Sequence, residues 1–213
     1  MTPEAAELDR VLTAIRGCRH CVEAPRGKPL PHEPRPVLRA SRTARLAICS
    51  QAPGTRVHES GTPFTDRSGD RLRDWMGVTP QEFYDEARVA IVPMGFCFPG
   101  QDEKGGDLPP RRECATIWHR KLFAALPEIA LVLAVGSYAQ NWHLGDEAGA
   151  SLQDTMLGWR RYLKGKRCPR VLPLPHPSWR NNAWLTRNPW FEAELLPVLR
   201  REVRKLLQGA CAS

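Results

Sequence analysis

The chain has 213 residues, with 31 Lys and Arg against 23 Asp and Glu, which gives a formal net charge of +8 at pH 7. This length suffices for one sizeable domain, and the basic balance favours a polyanion such as nucleic acid or an anionic membrane face. The longest apolar runs, such as residues 129–135, are far too short to span a bilayer, which argues against a membrane protein. No secretory signal is recognisable, so we expect a cytoplasmic protein. Because the cytoplasm keeps thiols reduced, we do not expect its seven cysteines to form structural disulfides.

The first predicted element is a helix over residues 3–15, with Thr2 as a candidate N-cap. Its apolar residues recur at helical spacing, and the pattern ends at Gly17. The following residues 22–41 are rich in Pro and Arg and predict an irregular arm laid over the surface. We therefore expect residues 1–42 to form an N-terminal helix and arm that precede the core.

Four short apolar runs further along the chain predict buried strands: Leu46–Cys49, Val89–Val92, Ile129–Val135 and Val171–Leu174. Helical patterns lie between and after them, over residues 70–75, 80–87, 110–126, 137–144 and 188–207. Strands that alternate with helices predict an α/β fold, in which a parallel sheet carries helices on both faces. We expect this core over residues 43–208, within a single domain over 1–213.

The connection between the first strand and the next helix, residues 50–69, is unusually long. Most such connections have a handful of residues, so the length favours a working loop over a plain link. The loop begins Ser-Gln-Ala-Pro-Gly, and small residues at a strand's carboxyl end let a ligand approach the backbone. Because the carboxyl ends of parallel strands share one edge, that edge should gather residues 51–64, 93–98, 136–137 and 176–182.

Two motifs in this sequence are familiar. Ser-Gln-Ala-Pro-Gly at 50–54, followed by Gly-Thr-Pro-Phe at 61–64, resembles the first motif of the uracil-DNA glycosylase superfamily. His-Pro-Ser at 176–178 resembles its second motif, and the likeness is greatest to the thermophile-type iron–sulfur glycosylases. The resemblance implies a three-layer αβα sandwich with a four-stranded parallel central sheet. It also implies that a nucleotide flips out of DNA into a pocket at the carboxyl edge.

The resemblance assigns roles within that pocket. Phe64 would stack on the flipped base, and His176 would stabilise the negative charge that builds on the base during cleavage. The base would also lie against the turn residues Gln51, Ala52, Pro53 and Gly54. The alternative interpretations are ordinary ones, since Phe64 can be a core ring and His176 can belong to a stiff turn between two prolines.

Residues after His176 are candidates for contact with DNA. Ser178, Arg180 and Asn181 are suited to phosphates that flank the flipped nucleotide. Trp179 is suited to the gap that the nucleotide leaves in the base stack. The alternative for Arg180 is a solvated surface position.

The first motif departs from the family pattern at the two positions whose side chains activate the attacking water in other members. The thermophile-type enzymes have Glu where this chain has Gln51, and other branches have Asp or Asn where it has Ala52. Gln51 can orient a water molecule but cannot take its proton. We therefore expect Glu59 to join His176 and Gln51 in catalysis, with Asp66 as a further candidate acid.

Four of the cysteines have the spacing of a metal site. Cys18 and Cys21 form a Cys-x2-Cys pair, and sixteen residues separate Cys97 from Cys114. The thermophile-type glycosylases hold a 4Fe–4S cluster with a similar pattern, so the resemblance implies such a cluster here. Four thiolates also suit a structural zinc ion, and four reduced, buried cysteines without metal are the third interpretation.

More than one function stays open from the sequence. The first is a DNA glycosylase that hydrolyses the N-glycosidic bond of uracil or another deaminated base. Pro93 stands where the family has an Asn that reads the uracil edge, so the excised base is not fixed. The alternative is a protein that binds damaged bases or single-stranded DNA on the same fold, with lost or altered catalysis. A third is an enzyme for a small nucleotide-like substrate. For the first two the partner is DNA, with a single strand as one option, and we expect a monomer.

Overall fold

The computed structural model describes residues 3–209, so the candidate N-cap Thr2 and one of the seven cysteines, Cys211, lie outside the described residues. The strands are β1 (Leu46–Cys49), β2 (Val89–Ile91), β3 (Leu131–Val135) and β4 (Arg170–Leu174). The helices are α1 (Pro3–Arg16), α2 (His20–Glu23), α3 (Thr55–Ser60), α4 (Arg67–Met76), α5 (Pro80–Phe83), α6 (Arg112–Ala124), α7 (Ser137–Leu144), α8 (Leu152–Leu157), α9 (Trp159–Lys164), α10 (Asn182–Arg187) and α11 (Leu196–Gln208). Within the described range, no helix combines the length and apolar character that crossing a membrane requires.

The strands form one parallel sheet in the order β2-β1-β3-β4. Leu46 of β1 is in register with Val89 of β2 and with Leu131 of β3, which in turn pairs with Arg170 of β4. The predicted sheet of four parallel strands, with helices against it, is therefore confirmed. Since all four strands run the same way, the loops that follow them meet at one edge.

Alternate residues of each strand supply two separate cores. Leu46 and Ile48 of β1 point to a face that α4, α9 and α11 cover, whereas Ala47 and Cys49 point to a face covered by α1, α6 and α7. All four of these side chains are fully buried. A sheet buried on both faces explains why its strands read as continuous apolar runs rather than as alternating ones.

The helix that follows the long connection has well-defined ends. Asp66 caps the N-terminus of α4, because its carboxylate oxygen accepts a hydrogen bond from the Gly69 N–H at 3.1 Å. Gly77 ends the helix in the left-handed conformation, with φ of 65°. Such a conformation favours glycine, so the helix stops where the sequence allows it to stop.

Some predicted elements have different bounds. The connection over 50–69 contains helix α3, where the sequence predicts a loop. Helix α5 ends at Phe83 rather than near residue 87, because the Asp85 carboxylate and carbonyl accept hydrogen bonds from the next turn. The closing helix is interrupted by a π-helical stretch over Phe191–Leu195. It precedes Pro197, which has no N–H for a regular helical hydrogen bond.

The arm over residues 22–41 is irregular, as predicted, and it follows the sheet edge. Arg39 makes an antiparallel bridge to Ile91 of β2, and the Val37 N–H donates to the Phe96 carbonyl at 2.7 Å. Arg111 also holds the arm, because its guanidinium donates to the Lys28 carbonyl at 2.7 Å. The arm is thus tied to the segments on either side of the loop after β2.

Candidate functional site

A cleft of about 480 Å³ opens at the carboxyl edge of the sheet. Its walls come from the turn after β1, the end of β2, the loop that leads to α6 and the segment after β4. The predicted residues that line it are Gln51, Ala52, Pro53, Gly54, Phe64, His176, Ser178, Trp179, Arg180 and Asn181. Residues far apart in sequence are therefore brought to one site by the parallel order of the strands.

Phe64 forms a buried wall of the cleft in an unusual backbone conformation. Its φ is 58°, in the left-handed region that a residue with a side chain rarely adopts. Its carbonyl accepts hydrogen bonds from the Tyr84 hydroxyl at 3.1 Å and from the Arg73 guanidinium at 3.2 Å. Its ring packs edge-on against Phe83, with the ring centroids 5.8 Å apart. Strained residues held in this way cluster at functional sites.

Gly69 makes room for this conformation. A Cβ atom at position 69 would lie 1.9 Å from the Phe64 carbonyl oxygen and 2.7 Å from its carbonyl carbon. No side chain fits at those distances, so the first turn of α4 approaches the Phe64 backbone only because residue 69 is glycine. Gly69 is therefore part of how the aromatic wall is built.

His176 lies in the cleft as a neutral imidazole with a defined tautomer. The Ser178 N–H donates to Nδ1 of His176 at 3.3 Å, so the ring proton belongs on Nε2. Burial lowers the pKa of His176, and the positive charge of Arg180 acts in the same direction. The carboxylates of Asp66 and Asp107 oppose the shift but do not reverse it. The Nε2–H group is thus a donor suited to a developing oxyanion.

The turn after β1 is fixed by the strand beside it. The Met94 N–H donates to the Ser50 carbonyl at 2.8 Å, and the Gly95 N–H donates to the Gln51 carbonyl at 3.0 Å. These bonds extend the pairing of β1 with β2 beyond the ends of both strands. The side chains of Gln51 and Ala52 line the cleft on this rigid turn.

Glu59, the predicted catalytic acid, is placed elsewhere. It is an exposed residue on α3 and is not among the residues that line the cleft, whereas Val57 of the same helix is. Arg35 holds this helix end, because its guanidinium donates to the carbonyls of His58 and Glu59 at 2.6 and 2.8 Å. The catalytic role of Glu59 stays a prediction, and the position of Glu59 outside the cleft does not support it.

Among the residues that the structure describes, two acids do line the cleft, Asp66 and Asp107. Asp66 is a candidate from the sequence, but Asp107 is a residue that sequence reasoning missed. It lies in the long loop between β2 and α6, among other acids such as Asp102 and Glu103. The length of that loop was the available signal, and the sequence alone does not say which of its acids reaches the cleft.

The rim of the cleft carries an exposed aromatic ring. Trp179 is 73% exposed, which is unusual for so large an apolar side chain. The Arg180 guanidinium lies 5.7 Å from its ring centroid. The segment is braced from α4, because Arg71 donates to the Asn182 side-chain oxygen at 2.8 Å and to the Ser178 carbonyl at 3.4 Å. An aromatic ring and a cation on a braced rim suit nucleic acid.

The four predicted metal ligands lie together in a different part of the molecule. Cys18, Cys21, Cys97 and Cys114 line one small cavity between the arm, the loop after β2 and α6. The Phe96 N–H donates to the sulfur of Cys114 at 3.4 Å. Among the described residues, no group of three or more Cys, His, Asp or Glu side chains is arranged to hold a metal ion. The side chains thus share a cavity without forming a closed ligand set.

The electrostatics of these thiols follow from their burial. Burial raises the pKa of Cys97 to about 12, and the neighbouring Cys21 and Cys18 add to the shift. Burial also raises the pKa of Cys114, with further contributions from the other three cysteines. A cation in the cavity would reverse this balance, since thiolates are the form that binds metal. The remaining described cysteines stand apart, with Cys49 buried in β1 and Cys168 exposed.

Layers of helix, parallel sheet and helix, with a cleft at the carboxyl edge, define a class of α/β proteins that bind a ligand outside the strand ends. A model of the Uracil DNA glycosylase superfamily matches residues 39–200. The chain belongs to this superfamily. The matched range contains all four strands and both motifs of the cleft, but it begins after Cys18 and Cys21. Membership supports a function of the DNA glycosylase type, with DNA as the partner.

Proposed function

We propose that the protein is a DNA repair glycosylase that hydrolyses the N-glycosidic bond of uracil or another deaminated base flipped out of DNA. The observation that carries the proposal is the placement of Phe64 and His176 on the walls of one cleft, with Trp179 exposed at its rim. The cleft volume of about 480 Å³ leaves room for a nucleotide between them. The three side chains supply a stacking surface, a charge-stabilising donor and a wedge for the vacated position.

The residues of the cleft divide the work of cleavage. Phe64 stacks on the everted base, and the rigid turn at Gln51–Gly54 holds the base edge and a water molecule. As the C1′–N bond breaks, its electron pair moves onto the base, and the Nε2–H of neutral His176 donates to the base oxygen that gains charge. Arg180 and Asn181 hold the phosphates that flank the flipped nucleotide. The nucleotide itself occupies the cleft in place of bulk water.

We also propose that Cys18, Cys21, Cys97 and Cys114 hold a 4Fe–4S cluster, with a structural zinc ion as the alternative metal. The proposal is supported by four sulfur donors around one cavity and by the Phe96 N–H aimed at one of them. Binding would draw the sulfurs inward and would link the arm to the loop after β2. The cluster's contribution would be structural, since the cavity is separate from the cleft.

The direct test is base release by the purified protein from oligonucleotides that each carry one deaminated base, as single strands and as duplexes. The panel contains uracil, hypoxanthine and xanthine, with the matching undamaged bases as controls. The proposal predicts free base and an abasic site from at least one lesion. Salt-dependent DNA binding without release from any lesion would support the alternative of a binding protein. Failure to bind DNA at low salt would favour a small nucleotide-like substrate.

A further inference from the structure

The turn after β1 lacks the acid that hydrolysis requires. Neither Gln51 nor Ala52 can take a proton from water, although both line the cleft. General bases contribute roughly 10²- to 10⁴-fold to such reactions. If the proposed glycosylase activity holds, on which this inference rests, another carboxylate must face the cleft.

Asp107 is held at the cleft by a hairpin of its own. The Leu108 N–H donates to the Gly100 carbonyl at 2.9 Å, and Gln101 bridges to Asp107 across the hairpin. The turn of the hairpin is fixed by Asp102, whose carboxylate accepts from the N–H groups of Lys104 and Gly106 at 2.9 and 2.8 Å. The loop is therefore an ordered hairpin, and its hydrogen bonds fix the position of Asp107.

The carboxylate of Asp107 lies directly over the turn. Its Oδ2 is 2.9 Å from the position that a Cβ atom on Gly54 would occupy, so glycine at 54 makes room for it. Its Oδ1 has a long hydrogen bond of 3.4 Å from Gln101. In the part of the chain that the structure describes, no donor bonds to Oδ2. Asp107 and His176 both line the cleft, so the two groups belong to one site.

The other two acids are less suited to the task. Asp66 lines the cleft, but its Oδ1 is engaged as the N-cap of α4 through Gly69. Glu59, on α3, does not line the cleft. Asp107 is thus the cleft acid that caps no helix and whose Oδ2 lies against Gly54, in the turn where positions 51 and 52 carry no acid.

We propose that Asp107 is the general base of the reaction, and that it replaces the carboxylate absent from positions 51 and 52. Gln51 orients a water molecule, whose oxygen attacks C1′ of the everted nucleotide as the C1′–N bond breaks. Asp107 takes one proton of that water, and the hydroxyl stays on C1′ of the abasic sugar. The electron pair of the broken bond leaves with the base as an anion, held by His176, and the base then takes up a proton. No other reactant is required.

The test is single-turnover base release by the full chain carrying Asp107→Asn, on the lesion that the wild-type protein cleaves fastest. We expect the rate to fall by about 10²-fold or more, with DNA affinity within a few fold of wild type. Glu103→Gln is the matched control, since it also converts an acid to its amide in the same hairpin but does not line the cleft, and it should keep nearly the full rate.

Chemical rescue separates a base from a structural residue. Asp107→Ala should regain part of its rate when formate is added, because a small carboxylate can occupy the space and accept the proton. Glu103→Ala, the control from the same hairpin, should keep nearly the full rate and show no such response. An Asp107→Asn rate within about fivefold of wild type, or a loss confined to Asp66→Asn, would overturn the assignment and leave the glycosylase proposal intact. A wild-type protein that releases no base at all would overturn both.

Discussion

At the scale of single residues, the cleft depends on an unfavourable backbone conformation at Phe64 that neighbouring residues stabilise. Phe64 is held at positive φ by donors from Arg73 and Tyr84 and by the missing side chain of Gly69. The sequence predicted that Phe64 belongs to the site, because of its place in the Gly-Thr-Pro-Phe motif. It did not predict the strain, since conformation at one residue depends on partners such as Tyr84 that approach from another segment.

Gly69→Ala should therefore destabilise the fold. The new methyl group would overlap the Phe64 carbonyl, and overpacking of this kind costs about 3 kcal/mol. For a chain of this size, that loss lowers the melting temperature by roughly 6–12 °C. Thermal unfolding followed by circular dichroism measures it. Gly27→Ala is the control, because a Cβ there meets nothing within 4 Å, and an equal effect of both variants would contradict the account.

Trp179 supports a second prediction at this scale. Trp179→Ala should weaken binding to single-stranded DNA by about 1–3 kcal/mol, because stacking of a base on an exposed ring is lost. The measurement is fluorescence anisotropy at fixed salt, with Leu157→Ala as the control, since Leu157 is also exposed but does not line the cleft. Unchanged affinity of the Trp179 variant would show that the ring does not contact DNA.

At the scale of elements, a strand or helix with many buried residues leaves an apolar pattern in the sequence that predicts it. An element that is mostly exposed leaves no such pattern. The strands were predictable because runs such as Leu46–Cys49 are buried on both faces of the sheet. Helix α3 was missed because Val57 is its one buried residue, which leaves no apolar periodicity to detect.

The packing of α6 on the sheet adds a feature that no sequence pattern shows. His119 of this helix is fully buried, and its ring donates to the Pro93 carbonyl at 3.0 Å.

This buried histidine makes stability depend on pH. Burial lowers the pKa of His119 to about 4, against about 6.5 in the unfolded chain. Between these values the unfolded state binds a proton that the native state does not, so stability falls as the pH falls. From pH 7 to pH 5 the loss should be about 2 kcal/mol. Denaturant unfolding measures it, and His119→Gln, which keeps an N–H but does not titrate, should lose that much less. Parallel pH dependence in both proteins would contradict the assignment.

At the scale of the whole molecule, two sites lie on different parts of the chain. The cleft forms from loops at the carboxyl edge, and its residues were largely predictable because parallel strands must bring those loops together. Asp107 was not predictable, because its position depends on how one long loop folds back on itself. The cysteine cavity lies where the arm meets the loop after β2, so it connects the N-terminal segment to the core.

If a cluster occupies that cavity, the link should be measurable. Protein purified without oxygen should be brown and contain iron and sulfide, and Cys114→Ser should lose both the colour and part of the thermal stability. Cys168→Ser is the control, since Cys168 is exposed and stands apart from the cavity. Zinc in place of iron would select the alternative metal, and neither metal would contradict the proposed site.

The central claim is that an everted base lies between Phe64 and His176, where the Nε2–H of the imidazole stabilises the leaving base. The most direct measurement is the single-turnover rate of base release by the wild-type protein and by His176→Ala, at saturating protein on the preferred lesion. We expect release by the wild type and a loss of about 10²- to 10³-fold in the variant, with DNA affinity preserved. Equal rates for the two proteins would contradict it.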